Sequence, residues 1–359
     1  VMELENLPYR DAVAVLAKRV GMEVPEYQGS SPDMQRRREK LLEMNKQAAR
    51  LFHQWLHSPQ GAHGLNYLQR RGLSTKTLTN FGLGFAPDSW DSLINAMTKL
   101  GYDKRDLLDA GLAVNNKDGR IYDRFRNRVM FPIIDTSGNV IAFGGRVMDD
   151  SKPKYLNSSD TPAFKKSRNL FALNYARNHA EESMILCEGY MDVIALHAAG
   201  FTNAVATLGT ALTPDQCRLL SQYTDLVMLS YDSDEAGQKA ANRGIELLSQ
   251  IGMKIKVIHI PDAKDPDEYI KKFGAQRFRM LLEGSANATE FAIARIREKY
   301  DMDTDDGRMN CVKELAAYLA EVPNAIERDV YLSRIAMDTG VSKEALASQV
   351  TSHQKRIAR

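Results

Sequence analysis

The sequence predicts an α/β protein: a parallel-sheet domain, preceded by a mixed α+β basic domain and followed by a C-terminal helical subdomain. Three observations carry this. Between residues 183 and 260 short continuous apolar runs alternate with helical segments, the pattern of parallel strands covered on both faces. Residues 120–157 change to arginine-rich β texture around a turn, and both ends of the chain space apolar residues at helical intervals. With 359 residues, 43% hydrophobic and 26% charged, the chain can bury two or three cores and falls outside collagen-like, disordered and disulfide-scaffold compositions.

Taken in order, residues 12–20 and 35–56 read as helices, the second carrying Leu41, Met44, Ala48, Leu51, Phe52 and Trp55 on one face. Gly29-Ser30-Ser31-Pro32-Asp33 reads as a flexible joint between them, and Arg36-Arg37-Arg38 as a solvated helix face. Residues 58–112 read as short helices joined at Gly61, Gly64, Gly72 and Gly101. Gly82-Leu83-Gly84 is a lone GxG, and with no P-loop in the chain neither glycine fingerprint for nucleotides is met. Segments 128–135 and 140–147 flank Thr136-Ser137-Gly138-Asn139, a hairpin by composition. Strands follow at 183–187, 204–208, 226–231 and 254–260, separated by helices at 191–199, 214–223 and 236–251. Beyond residue 275 helices are expected at 290–300, 308–319, 325–338 and 343–351. The expected divisions are a helical segment 1–57, a basic nucleic-acid-binding subdomain 58–175, a catalytic subdomain 176–275 and a helical subdomain 276–359.

No apolar run approaches the roughly 18 residues that cross a bilayer, and no signal peptide is visible, so a cytoplasmic protein without membrane contact is expected. Cys187, Cys217 and Cys311 are far apart, which indicates reduced core residues rather than a zinc site or disulfides. The chain starts at Val1 rather than Met, and an excised fragment is expected.

The net charge of +2 conceals a division. From Lys117 to Arg168 there are 11 Lys and Arg against 6 Asp and Glu; from Glu181 to Ile270 there are 6 against 14. In an open parallel sheet ligands gather outside the carboxyl ends of strands. Those ends are acidic here: Glu188-Gly189 after the first strand, Asp232-Ser233-Asp234 after the third, and Asp262 and Asp265-Pro266-Asp267-Glu268 after the fourth, with Asp192 expected in the helical turn after Glu188. Aspartates at i and i+2 in extended backbone share a face. Two such charges about 4 Å apart repel by ~4 kcal/mol at an effective dielectric near 20. A divalent cation relieves that repulsion, and an all-oxygen set without His or Cys selects Mg²⁺ or Mn²⁺ over zinc. The competing reading is a helix N-cap, since Asp is common there.

In the basic region Arg124, Arg126 and Arg128 alternate with Phe125 and Val129, so in a strand they would share one face suited to phosphates. The competing reading is a solvated edge strand. Phe143-Gly144-Gly145-Arg146 adds a cation beside two glycines that would let a ligand or strand approach, and Lys154-Tyr155-Leu156-Asn157 and Lys165-Lys166 follow. A cationic surface beside an acidic metal cluster suggests phosphoryl chemistry on a polyanion.

Cys187-Glu188-Gly189-Tyr190-Met191-Asp192-Val193, Tyr231-Asp232-Ser233-Asp234-Glu235-Ala236-Gly237 and Lys264-Asp265-Pro266-Asp267-Glu268 resemble the three acidic motifs of a Toprim domain. Residues 123–133, Phe143-Gly144-Gly145-Arg146 and Pro153-Lys154-Tyr155-Leu156-Asn157-Ser158 narrow the resemblance to the catalytic RNA-polymerase region of DnaG-type bacterial DNA primases. It implies DNA-templated synthesis of short RNA primers from ribonucleoside triphosphates on single-stranded DNA, in the bacterial replisome, with Mg²⁺ or Mn²⁺. It further implies Glu188 as acid/base residue near the primer 3′ hydroxyl, Asp232 and Asp234 as principal metal ligands, and Asp192, Asp265 and Asp267 completing the set. Arg124, Arg126, Arg146, Lys154, Asn157 and Lys166 would contact template, primer or triphosphate, with Arg128 in the same cationic row. Family members also carry a zinc-binding module and a module that binds the replicative helicase; both are expected to be absent here, so no zinc is expected. The alternatives are a Toprim-type strand-breaking enzyme, a topoisomerase or nuclease, and a nucleic-acid clamp with an unused acidic site.

Overall fold

The structure is a computed structural model that describes residues 13, 16, 17, 32–231, 235–322 and 324–357. Most of the helix expected at 12–20, and residues 29–31 of the expected joint, lie outside the described residues. Pro32 and Asp33 do not belong to a joint: they open helix α1 (Pro32–Leu56), where proline's fixed φ suits a first helical turn. The chain divides into two compact units, Val1–Gly284 and Ser285–Arg359.

In the first unit α1 buries Leu41, Met44, Ala48, Phe52 and Leu56 along one stripe. Its outer face carries Arg37 and Arg38, which pair with Asp109 at 2.7 Å and Asp135 at 4.0 Å. Short helices α2 (Ala62–Arg70) and α3 (Thr75–Asn80) lead to strand β1 (Gly84–Ala86). Then come α4 (Ser92–Lys99), α5 (Lys104–Asp109) and a two-stranded ribbon of β2 (Ala113–Asn115) and β3 (Ile121–Asp123). The hairpin expected around 136–139 is present as β4 (Arg128–Ile134) and β5 (Val140–Arg146), and β6 (Tyr155–Asn157) completes an antiparallel sheet in the order β1-β4-β5-β6. Asp135 closes the hairpin turn, its Oδ1 accepting from the amides of Ser137 at 3.0 Å and Asn139 at 2.9 Å.

After a short helix α6 (Leu173–Ala176) the pattern becomes strand–helix–strand: β7 (Met184–Cys187), α7 (Tyr190–Ala198), β8 (Ala204–Ala206), α8 (Pro214–Leu220), β9 (Leu226–Ser230), α9 (Glu235–Gln250) and β10 (Lys254–Val257). These strands are parallel, side by side as β10-β9-β7-β8. All four strands appear where the apolar runs place them. They end before the runs do, because Leu208, Ile258 and Ile260 continue the core from loop positions. Cys187 is level with Ala206 and with Ser230, so β7, β8 and β9 finish at one rim, where Glu188, Thr207 and Tyr231 come next in the chain. Helix α10 (Pro266–Glu283) follows β10, and its helical dihedrals break at Gly274 (φ 82°).

The second unit is a helical bundle of α11 (Ala288–Arg297), α12 (Asp305–Glu321), α13 (Ala325–Thr339) and α14 (Lys343–Ile357). Cys311, Leu315, Leu319, Ile335, Leu346 and Val350 form its core. Asn287, Thr304 and Asn324 cap α11, α12 and α13 with side-chain oxygens. All three cysteines are buried and free, and no described helix is long and apolar enough to cross a membrane.

Candidate active site

The carboxyl ends of the parallel strands open into a cavity of about 290 Å³. Glu188 and Asp192 reach it from the end of β7 and the first turn of α7, and Asp265 and Asp267 from the start of α10. Arg146, Lys154, Tyr155 and Asn157 line it from β5, β6 and the loop between them, and Arg71 from the end of α2. Side chains separated widely in sequence thus meet at one rim, acids beside cations.

The acids are not equivalent. Asp265 is the N-cap of α10, accepting from the Glu268 amide at 2.7 Å, so the capping reading weighed for a strand-end aspartate applies to it. Asp267 is 3% exposed; its Oδ2 accepts from Lys271 Nζ at 2.6 Å and from Arg71 Nη1 at 3.5 Å. Its Oδ1 is buried without a hydrogen-bond partner. Such an atom in a polar cavity suits a cation or its water, because an unsatisfied buried carboxylate oxygen is costly. Among the described residues no three Asp, Glu, His or Cys side chains gather closely enough to hold an ion by themselves. Asp232 and Asp234, the expected principal ligands, lie outside the described residues.

Arg146 is 6% exposed, hydrogen-bonded through Nη1 to Tyr67 Oη, with its guanidinium over the Tyr67 and Tyr155 rings at 5.3 and 5.5 Å. Arg71 lies over the other partner of this stack, 5.7 Å from the Tyr67 centroid. Burial pushes the Tyr155 and Tyr190 hydroxyls well above the usual tyrosine range, so both stay neutral. Asn157 accepts at Oδ1 from Tyr190 Oη at 2.8 Å, donates from Nδ2 to Leu208 O at 2.7 Å, and accepts at its own carbonyl from Arg124 Nη2 at 2.8 Å. Gly209 (φ 71°) faces that amide so closely that a Cβ would come 2.5 Å from Nδ2.

The arginine row departs from expectation. Strand β4 begins only at Arg128, after Asn127 turns the backbone to φ 47°, so Arg124 and Arg126 do not share a strand face with it. Arg128 is buried, its Nη1 donating to the carbonyls of Gly145, Pro153 and Lys154 at 3.3, 3.0 and 3.4 Å. Its expected place on a phosphate-binding face is therefore corrected: it holds the β5–β6 connection. Arg126 instead lies over the exposed Trp90 ring at 4.0 Å and the Tyr122 ring at 5.1 Å, outside the cavity lining. The glycines before Arg146 serve packing: a Cβ on Gly144 would meet Tyr190 Cε2 at 2.6 Å, and one on Gly145 would meet Phe125 Cδ1 at 2.9 Å. Lys166 is half-buried in a 3-10 turn that Gln216 and Asp160 hold by its backbone, and it is not in the cavity lining. Sequence reasoning passed over Tyr67, Arg71, Trp90 and Lys271. Arg71 precedes a glycine in Arg70-Arg71-Gly72, a basic pair outside the stretch whose charge was tallied.

A parallel sheet with carboxylates at its carboxyl rim, faced by cations from an antiparallel sheet, defines a Toprim-type nucleic-acid-processing protein. Family models agree: "Toprim-like" matches residues 185–270, "DNA primase catalytic core, N-terminal domain" residues 51–177, and "DnaB-helicase binding domain of primase" residues 289–344. A DNA primase of Clostridium acetobutylicum is 42% identical over 354 residues, 98% of this chain and 59% of the relative. The crystal structure of a DNA primase domain from Pseudomonas aeruginosa superposes with a TM-score of 0.74 at 38% identity, covering 87% of this chain and 99% of that one. A DnaG primase catalytic domain bound to ssDNA gives a TM-score of 0.74 at 34% identity, over 86% and 99% of the two chains. The chain belongs to the DnaG-type DNA primase family and has the fold of its catalytic core. It spans 59% of the length of the first curated relatives it matches. The expectation that no helicase-binding module is present is overturned by the match over residues 289–344. The four helices there were read as a tail of the catalytic region because a small helical bundle has no local motif that distinguishes the two.

Proposed function

We propose that this chain is a primer-synthesising core that copies single-stranded DNA into short RNA from ribonucleoside triphosphates, in Mg²⁺ or Mn²⁺, in the cytoplasm beside a replicative helicase. The observation that carries the reading is the cavity itself: Glu188, Asp192, Asp265 and Asp267 facing Arg71, Arg146 and Lys154 in about 290 Å³. We assign metal binding to Asp232, Asp234 and Glu188, with Asp192, Asp265 and Asp267 as supporting carboxylates. The orphaned Asp267 Oδ1 is compatible with an ion or its water nearby. The ions, when bound, supply positive charge to a reacting hydroxyl and to triphosphate oxygens.

The chain's own part is to hold charge and move a proton. Glu188 stands at the cavity as acid/base for the primer 3′ hydroxyl, while the tyrosines around it stay protonated. Arg146, stacked between two aromatic rings, offers a fixed guanidinium to the incoming triphosphate, with Lys154 and Arg71 adding charge to the same wall. Arg126 on Trp90 forms a cation–aromatic platform suited to a single strand, whose bases stack on rings while phosphates meet the guanidinium. Strand breakage is the less favoured reading, since the relatives are primases.

Templated dinucleotide synthesis on single-stranded DNA tests the assignment. Asp232→Asn or Asp234→Asn is expected to abolish it while the fold, followed by circular dichroism, is unchanged. Full synthesis by either variant refutes the metal assignment, and relaxation of supercoiled DNA without nucleotides would favour the strand-breaking alternative.

A further inference from the structure

Helix α13 has two apolar faces. Tyr331, Leu332 and Ile335 are buried in the bundle, whereas Ile326, Val330 and Met337 are 78%, 58% and 82% exposed. The exposed three recur at i, i+4 and i+11, which on a 3.6-residue helix is one line opposite the buried face, about 16 Å long. Ser333, on the same line, turns its hydroxyl to Asp329 O at 3.0 Å and leaves a small surface between Val330 and Met337. The charged neighbours are tied down: Arg334 to Glu290 at 3.0 Å, Asp329 to Lys343 at 2.9 Å and Glu327 to Thr289 at 2.8 Å. No charge from the unit's own pairs is drawn across the stripe, and an uncovered apolar line of this kind marks a partner surface.

We propose that the Ile326–Val330–Met337 stripe is the contact by which this unit docks into an apolar groove of the replicative helicase. The inference rests on the proposed helicase-binding role of this unit, whose family match includes all of α13. A second copy of the chain fits less well, because three side chains offer far less than the roughly 800 Å² per partner of a stable homodimer.

The test uses the full chain and the purified DnaB-type helicase of the same genome, with binding read by biolayer interferometry. Val330→Glu and Met337→Lys are expected to weaken binding about tenfold or more, with templated dinucleotide synthesis unchanged. Met280→Glu, at another exposed methionine on α10, should bind as wild type. Undiminished binding by both stripe variants, with wild-type binding intact, overturns the stripe and leaves the helicase role standing. No binding by the wild-type chain overturns both. Self-association in sedimentation that Val330→Glu abolishes assigns the stripe to a second copy and also overturns the proposal.

Discussion

Asp123 offers a direct test of how burial and hydrogen bonding compete in this fold. It is 2% exposed, and its carboxylate accepts from the amides of Leu93 at 2.7 Å and Ile94 at 3.0 Å at the start of α4. Burial raises its pKa from 3.8 to about 6, outweighing the two amide hydrogen bonds that favour the charged form. The native state therefore holds this proton more tightly than the unfolded chain does. The stability this group contributes is complete below about pH 4 and is lost as pH rises through 6; the rise from 3.8 to about 6 corresponds to ~3 kcal/mol. Asp123→Asn keeps an acceptor and cannot titrate, so the difference in unfolding free energy between wild type and variant isolates this one group. Urea unfolding of both proteins at intervals from pH 4 to 7.5, followed by Trp emission, should show wild type losing about 3 kcal/mol relative to the variant. A difference that stays constant across this range, or moves in favour of wild type, refutes the claim that burial wins.

Arg126→Ala should weaken single-stranded DNA binding and reduce the slope of log affinity against log salt by about 0.7, whereas Trp90→Ala should cost ~1–3 kcal/mol with the slope unchanged. Anisotropy across a salt series separates the two, and wild-type slope and affinity in Arg126→Ala would remove that residue from the interface. Arg128→Ala leaves carbonyls of three residues without their donor and should destabilise the fold by ~1–3 kcal/mol, with the salt slope of the folded protein intact; a reduced slope would return Arg128 to the DNA face. Gly144→Ala drives a methyl group into the Tyr190 ring and should cost ~1–3 kcal/mol in thermal unfolding, partly restored by Tyr190→Leu. An unchanged melting temperature in the single variant would show that the two sheets do not pack as closely as described.

The parallel sheet was legible because β7, β8, β9 and β10 are short buried apolar runs, and because their ends carry acids that have no reason to follow such runs without a ligand. The hairpin was legible from its turn. What escaped depends on contacts distant in the chain. Arg71 meets Asp267 across 196 residues, and no local pattern announces such a pair. The alternation Arg124, Arg126, Arg128 imitates a strand until the left-handed Asn127 breaks it, and a positive φ at a non-glycine residue is set by tertiary packing. The glycines before Arg146 were read as room for a ligand, but sequence cannot say who approaches a missing side chain; here the visitors are Tyr190 and Phe125. The bundle of the second unit was legible as helices and silent about its partner.

The amide of Asn157 has a mechanical consequence. One side chain grips the Tyr190 hydroxyl and the Leu208 carbonyl while its own backbone is gripped by Arg124, so the antiparallel and parallel sheets are riveted together at the mouth they share. Prising them apart would strand several polar groups at once. The cleft is accordingly a fixed jaw rather than a closing one: nucleic acid and nucleotide must adapt to its shape, and any large-scale gating has to be supplied from outside this pair of sheets.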